Sequence, residues 1–251
     1  VQEQQTGKIL IITPFHRSRR GNSLTSERIQ AGLIKQGFTI GIVSLEENNW
    51  LNKLHYDLAT RKYALIHGFH AAHCGRVLEM VPELQELPLV LTMTGTDINY
   101  DLKKLENYSL IRTLQLVKRI VVFNADFKEV LVGINPEWEN KVVIIPQGVM
   151  LETGNPKSRS EFGLTLDDFV FLLPSGLRPV KHIELAIDAL EKLQEQYPEV
   201  RLIIIGTTID PEYSRQIIKR IENLSWVTYL GEVPHEEMKN ILLLGDVVIN
   251  T

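Results

Sequence analysis

This sequence is poor in sulfur, in excess charge of either sign and in long apolar runs, and each shortage excludes something. Its 251 residues hold a single cysteine, Cys74, so no internal disulfide is possible and a disulfide-stapled scaffold is ruled out. No apolar run approaches the roughly 18 to 20 residues that span a bilayer as a helix. The opening VQEQQTGK has neither the basic nor the apolar stretch of a secretory leader, and the chain is expected to be cytoplasmic, with no stable membrane span. Lys and Arg number 27 against 31 Asp and Glu, a formal net charge of −4, which gives no overall reason to expect nucleic acid as a partner. Any anionic ligand must be met by a few local cations. Internal repeats and low-complexity tracts are absent. So are a G-x-x-x-x-G-K-[ST] phosphate loop, a G-x-S-x-G elbow and a G-x-G-x-x-G dinucleotide turn; Thr13–Asn22 holds one glycine, although Glu46 stands where an acidic ribose ligand would.

Against these absences stand ten short apolar runs: Lys8–Thr13, Thr39–Leu45, Tyr63–His67, Leu89–Met93, Arg119–Phe123, Lys141–Ile145, Phe169–Leu173, Arg201–Ile205, Val227–Leu230 and Asp246–Asn250. Continuous apolar character suits strands covered on both faces, and the amphipathic stretches between them suit crossover helices, so the expected class is α/β with parallel sheets. Asn22 and Ser23 are expected to cap a helix carrying Leu24, Ile29, Leu33 and Ile34, with Gly37 as its C′ residue. Further helices are expected over Lys181–Tyr197, Glu212–Leu224 and His235–Leu244. The rhythm breaks at Met150–Asp168, which holds Gly154, Pro156 and Gly163, the composition of a linker. The expected organisation is a first domain over residues 1–150, a linker over 151–165 and a second domain over 166–251. The chain starts on Val and stops in an apolar run, so both ends are expected to be cuts.

Ligands of open parallel sheets bind beyond the carboxyl ends of the strands, and the unusual residues of this chain gather there. After the first strand comes the basic loop of Arg17, Arg19 and Arg20, then Gly21-Asn22. After the third come His67, His70 and His73, and after the fourth Thr94-Gly95-Thr96-Asp97. In the second half the strand ends run into Gly176-Leu177-Arg178-Pro179-Val180-Lys181 and Gly206-Thr207-Thr208. Arg178 and Lys181 beside Gly176 at a helix start would suit a diphosphate, or would be plain solvated charges. His67 is either a packed histidine or a group facing a substrate. Asp97 either accepts from sugar hydroxyls or caps the following helix. The three histidines make a poor metal cluster because the run crosses from strand to helix, and no metal or cofactor is expected.

The order Gly21-Asn22, His67, Thr94-Gly95-Thr96-Asp97, Ile145-Pro146-Gln147-Gly148-Val149, Gly176 to Lys181, Ile203-Ile204-Ile205-Gly206 and Leu230-Gly231-Glu232-Val233-Pro234 resembles retaining GT-B glycosyltransferases of family 4. Within them it is most similar to the subgroup called glycosyltransferase 1 domain-containing protein 1. The resemblance implies two Rossmann-like doubly wound domains, the second incomplete, and transfer of a sugar from a nucleotide-diphosphate sugar, UDP- or GDP-linked, to a small-molecule, glycan or lipid acceptor. It implies that Gly21, Asn22, Gly176, Arg178, Lys181 and Gly206 bind the donor. It further implies that His67, Thr96 and Asp97 serve sugar and acceptor, and that His67, Arg178 and Lys181 are catalytic without a metal. The sequence departs from the family at Thr94, where a histidine is usual, and at Lys181-His182, since the family's Lys-Gly stands about five residues after the arginine whereas here the lysine follows Arg178 by three and is followed by His182. The family's E-x₇-E carboxylates are expected beyond Thr251. A nucleotide-sugar epimerase or a sugar-phosphate synthase on the same frame, and a non-catalytic nucleotide or sugar binding fragment, are the competing expectations.

Overall fold

A computed structural model describes residues 7–16, 21–104, 108–149 and 157–251. The chain divides into two compact units between Gly148 and Val149.

The first unit alternates strand and helix: β1 (Lys8–Thr13), α1 (Gly21–Lys35), β2 (Thr39–Ser44), α2 (Trp50–Thr60), β3 (Leu65–Phe69), α3 (Ala71–Met80), β4 (Leu89–Thr92), α4 (Thr96–Asn99), α5 (Tyr108–Leu116), β5 (Arg119–Val122), α6 (Ala125–Ile134) and β6 (Val142–Ile144). All strand pairs are parallel, in the order β2-β1-β3-β4-β5-β6. The order reverses between β1 and β3, which makes their carboxyl ends the switch point where ligands of such sheets collect. Ile9, Leu10, Ile11 and Ile12 of β1 are all buried, as a strand covered on both faces requires, at roughly 1.5–3 kcal/mol of stabilisation per side chain. One face joins Leu10, Ile66, Leu91 and Ile120 to Val77, Leu78, Leu110 and Leu114 of α3 and α5.

The second unit holds β7 (Phe169–Pro174), α7 (Ile183–Gln194), β8 (Val200–Ile205), α8 (Pro211–Ile221), β9 (Val227–Tyr229), α9 (His235–Leu242) and β10 (Val247–Val248). Its parallel sheet runs β10-β7-β8-β9, so its order reverses at β7. Alternate residues serve opposite faces: Leu173, Leu202 and Ile204 pack with Ile183, Ile187 and Ile217, whereas Val170, Leu172, Ile203 and Ile205 pack with Ile241 and Leu244. That odd-even split is the signature of a sheet with helices on both sides.

Three boundaries differ from the sequence expectation. Helix α1 starts at Gly21, so Asn22 and Ser23 lie inside its first turn rather than before it. Its end is as expected: Gly37 has φ 89°, Gly37 N donates to Ile34 O at 2.9 Å and Phe38 N to Leu33 O at 3.0 Å, a Schellman closure. Strand β3 is displaced by two residues, because Gly68, which reads as a turn signal, lies within the strand. A Cβ there would come 2.5 Å from Cys74 Sγ, so glycine is needed for α3 to pack close. Helix α7 starts at Ile183, after a 3₁₀ turn over Pro179–Lys181. The stretch read as linker is described only from residue 157 on. There Ser158 and Glu161 form a capping box on a short 3₁₀ helix, and Arg159 binds Leu244 O, Asp168 O and both Asp246 oxygens at 2.9–3.1 Å, which ties it to the second unit.

Gly206 closes β8 where it meets the exit of β7. A Cβ on it would lie 2.3 Å from Ser175 O and 2.7 Å from Gly176 N, with φ at 155°. Gly206→Ala is therefore expected to destabilise the chain by at least about 2 kcal/mol. Urea unfolding checks this, and unchanged stability would refute it.

Candidate functional site

In the first unit the carboxyl edge is organised by Asp97, a fully buried residue of α4. Its Oδ2 accepts from Ala71 N, the first amide of α3, at 2.9 Å; its Oδ1 accepts from Thr94 N at 2.9 Å and Ile98 N at 3.2 Å. Asp97 thus caps α3 rather than only its own helix, and it joins the exit of β3 to that of β4. Burial pushes its carboxyl up, against the pull of His70 and of these amide donors. Thr96, beside it, is exposed.

His67 was expected at a strand end and is found in mid-strand, because β3 runs on to Phe69. Its Nε2 lies 2.8 Å from Thr92 Oγ1 and its ring stacks on Phe69 at 4.7 Å. Burial lowers its pKa to about 4, so the ring is neutral at pH 7. The histidine that leaves the strand is His70, whose φ of 67° is unusual for a residue with a side chain. Its backbone N donates to Thr92 O at 3.0 Å. Its ring packs on His73 at 4.5 Å, His73 meets Phe15 edge-on at 6.5 Å, and His70 Nε2 stands 3.6 Å from Asp101 Oδ2. The exits of β1 and β3, the two strands at the switch point, therefore meet through Phe15, His73 and His70.

Among the described residues, five buried side-chain polar atoms have no hydrogen-bond partner: His16 Nδ1, Ser44 Oγ, His70 Nδ1, Thr94 Oγ1 and Asn240 Nδ2. The first four sit one apiece at the exits of β1, β2, β3 and β4. A buried polar atom without a partner costs about 1–3 kcal/mol, and four of the five among the described residues fall on this one edge. Sequence reading weighed His70 only as part of a poor metal cluster and did not single out His16, Ser44 or Asp101. Gly68 hid His70 by suggesting that the strand had already ended, and isolated polar residues after strands carry no motif.

In the second unit Gly176, Arg178 and Lys181 follow β7, the strand of the reversal. Arg178 is exposed and extended (φ −155°, ψ 152°), as the residue before Pro179 must be, and Lys181 N closes the turn on Arg178 O at 3.0 Å. Neither side chain has a hydrogen-bond or ionic partner among the described residues. Arg159, Arg201 and Arg220, by contrast, are paired with Asp246, Asp168 and Asp188. The cations precede α7 instead of starting it, and the first amide of α7, Ile183 N, is taken by Tyr213 Oη at 2.7 Å. Burial, with a hydrogen bond to Glu184, pushes the Tyr213 phenol up to about 12. His182 occupies a left-handed backbone position (φ 42°), the geometry for which glycine is usual. Gly206 has its amide on Gly231 O and its carbonyl on Tyr229 Oη, so close packing accounts for this glycine. Gly21 and Asn22 open α1, and Gln147 binds Thr25 of the same helix. Arg17, Arg19 and Arg20 lie outside the described residues.

A shallow pocket of 340 Å³ between Lys118, Arg119, Glu137 and Lys141 lies at the opposite, amino edge of the first sheet. Lys141 Nζ is spent there on the carbonyls of Leu114 and Gln115, which end α5. Among the described residues no group of three or more His, Cys, Asp or Glu side chains is placed to hold a metal ion. Cys74 is buried, which pushes its thiol up to about 12. No described helix is long and apolar enough to cross a membrane.

Residues 155–251 match the family described as glycosyl transferases group 1. The chain is 25% identical, over 97% of its length and 71% of the relative's, to glycosyltransferase 1 domain-containing protein 1 of Xenopus tropicalis. Its fold is that of GT-B glycosyltransferases. Anabaena HepE, solved in complex with UDP and glucose, superposes with a TM-score of 0.71 at 16% identity, covering 98% of this chain and 74% of HepE. The catalytic domain of starch synthase IV from Arabidopsis thaliana, bound to ADP and acarbose, gives 0.71 at 10% identity, covering 97% and 77%. UDP-GlcNAc 2-epimerase from Methanocaldococcus jannaschii gives 0.59 at 12% identity, covering 96% and 77%.

Burial also lowers His73 to about 4, so both rings are neutral in the fold and take up protons on unfolding. The stability they contribute is complete above about pH 6.5 and is lost as pH falls toward 4, by at most about 3 kcal/mol for His67. Urea unfolding between pH 7 and 4 is expected to show this decline, with a shallower slope in His67→Gln. An unchanged slope would show that His67 is hydrated in the fold.

Proposed function

We propose that the chain belongs to a retaining glycosyltransferase that moves a sugar from a nucleotide-diphosphate sugar, UDP- or GDP-linked, to a hydroxyl of a small-molecule, glycan or lipid acceptor. The observation that carries this reading is the pair Arg178 and Lys181. They are cations without side-chain partners among the described residues, set on a glycine-containing exit loop at the sheet reversal, inside the segment that matches the group 1 glycosyl transferases. The complexes of HepE with UDP and glucose and of starch synthase IV with ADP and acarbose, on the same fold, support it.

When the bond between the anomeric carbon and the diphosphate oxygen breaks, negative charge develops on the leaving phosphate. Gly176 serves packing, since a Cβ there would come 2.5 Å from Ile209 Cδ1, whereas Arg178 can meet the charge with a two-pronged donor and Lys181 with a point charge. A metal is not needed for that role. The hydrogen-bonding groups at the carboxyl edge of the first unit suit the uncharged hydroxyls of a sugar or acceptor. Thr96 and Thr94 offer hydroxyls there, and Asp97 holds the loop that carries them. His67 serves as the packed support behind this edge, and His70 takes the place facing the ligand. The single buried cysteine suits a reducing cytoplasm.

The epimerase among the structural neighbours gives a second reading, and one experiment separates the two. With UDP-, GDP- and ADP-sugars as donors, release of nucleoside diphosphate only when an acceptor is supplied supports transfer, whereas an epimerised sugar without acceptor supports the alternative. Calorimetric titration with UDP, GDP and ADP is expected to show binding of at least one, weakened about 10- to 100-fold by Arg178→Ala or Lys181→Ala. Binding unaffected by both substitutions, or no binding at all, would overturn the assignment of the donor site.

A further inference from the structure

His70 is held from three sides. Its backbone amide is fixed on Thr92 O, its ring lies against His73, and its Nε2 faces Asp101 Oδ2 at 3.6 Å. Asp101 is itself anchored, since its Oδ1 accepts from Lys104 Nζ at 2.8 Å. The other ring nitrogen, Nδ1, is buried without a partner among the described residues. A neutral imidazole carries one proton, and the nitrogen nearer a carboxylate keeps it, because N–H toward a negative oxygen is attractive and a lone pair toward it is repulsive. The Asp97 carboxylate also acts on His70 electrostatically. The Asp97 carboxylate is engaged by three backbone amides, and Arg76 and His73 stand on α3.

We propose that Asp101 is a positioning residue that fixes His70 as the Nε2–H tautomer and leaves Nδ1 as a hydrogen-bond acceptor for a hydroxyl of the bound sugar or acceptor. The identity of the ligand rests on the glycosyl-transfer reading; the tautomer and its cause do not. The strained backbone of His70 has its use in this arrangement: it turns the ring out of the strand so that one nitrogen meets Asp101 and the other is left for the ligand. Two neighbouring features fit the same role. Thr94 Oγ1, at the next strand exit, is also unpartnered and can take the second hydrogen bond of a sugar. Asp97 joins the two exits, so His70 and Thr94 are held on a common frame.

The test is nitrogen-15 NMR of the histidine side chains in the full chain, without ligand. His70 is expected to show a protonated Nε2 and an unprotonated Nδ1. In Asp101→Asn the two nitrogens are expected to move toward an averaged mixture, and Asp101→Glu to restore the wild-type pattern, while the His67 signals stay in place and report an intact fold. A protonated Nδ1 in the wild type, or His70 signals unmoved by Asp101→Asn, would overturn the proposal. Adding UDP-glucose is expected to shift Nδ1 of His70 in the wild type and to do so less in Asp101→Asn. If the ligand-free results hold and neither UDP-glucose nor any other donor sugar moves Nδ1 or is turned over, the tautomer assignment stands and it is the glycosyl-transfer reading that fails.

Discussion

Parallel pairing is the constraint from which the rest of this molecule follows. A parallel strand can be joined to the next only by a crossover, and the crossovers cover both faces of the sheet. Strands so covered must be apolar along their whole length, as Ile9 to Ile12 and Leu202 to Ile205 are. Polar residues that leave such a strand have one place to go, the edge where the chain turns into its helix. The chemistry of both units is concentrated on carboxyl edges for this reason, and the shallow pocket at the amino edge of the first sheet carries a lysine already spent on a helix end.

The architecture was legible because parallel sheets write themselves in long-wavelength signals. Ten apolar runs gave ten strands, six in one sheet and four in the other, and Gly37 marked a helix end by the left-handed turn only it could make cheaply. What was not legible was short-range. Gly68 reads as a loop residue, yet it is a strand residue whose missing side chain makes room for Cys74. That single misreading moved the end of β3 by two residues, so that His67 lies within the strand and His70 follows it. Asp97 could be ranked as a ligand or a cap from sequence, but its use on α3, 26 residues earlier in the chain, is a tertiary fact. Arg178 and Lys181 were found from type and position alone, since cations after a glycine at a strand exit need no partner to be noticed.

The two edges differ in what the described residues offer. At the first, His67 and His73 are uncharged at pH 7, Asp97 is consumed by backbone, and the buried atoms without a partner among the described residues are hydroxyls or ring nitrogens; the sequence adds Arg17, Arg19 and Arg20 after β1. The second presents cations released from pairing while other arginines of the same unit are held by carboxylates. Neutral acceptors and donors discriminate between hydroxyls by geometry, because leaving one unpaired costs more than pairing it gains. Cations recognise charge and tolerate variation in what carries it.

A diphosphate is recognised chiefly by its charge, whereas a sugar is recognised by counted hydrogen bonds to its hydroxyls. A chain with a net charge of −4 can still bind a dianionic leaving group if two cations are kept out of ion pairs at one strand exit. It can select a sugar if buried polar atoms are kept out of hydrogen bonds at another. The cost falls on the first edge, where buried polar atoms lack a partner among the described residues; the exposed Arg178 is solvated by water, and any ligand bound only by the folded chain would stabilise it by mass action.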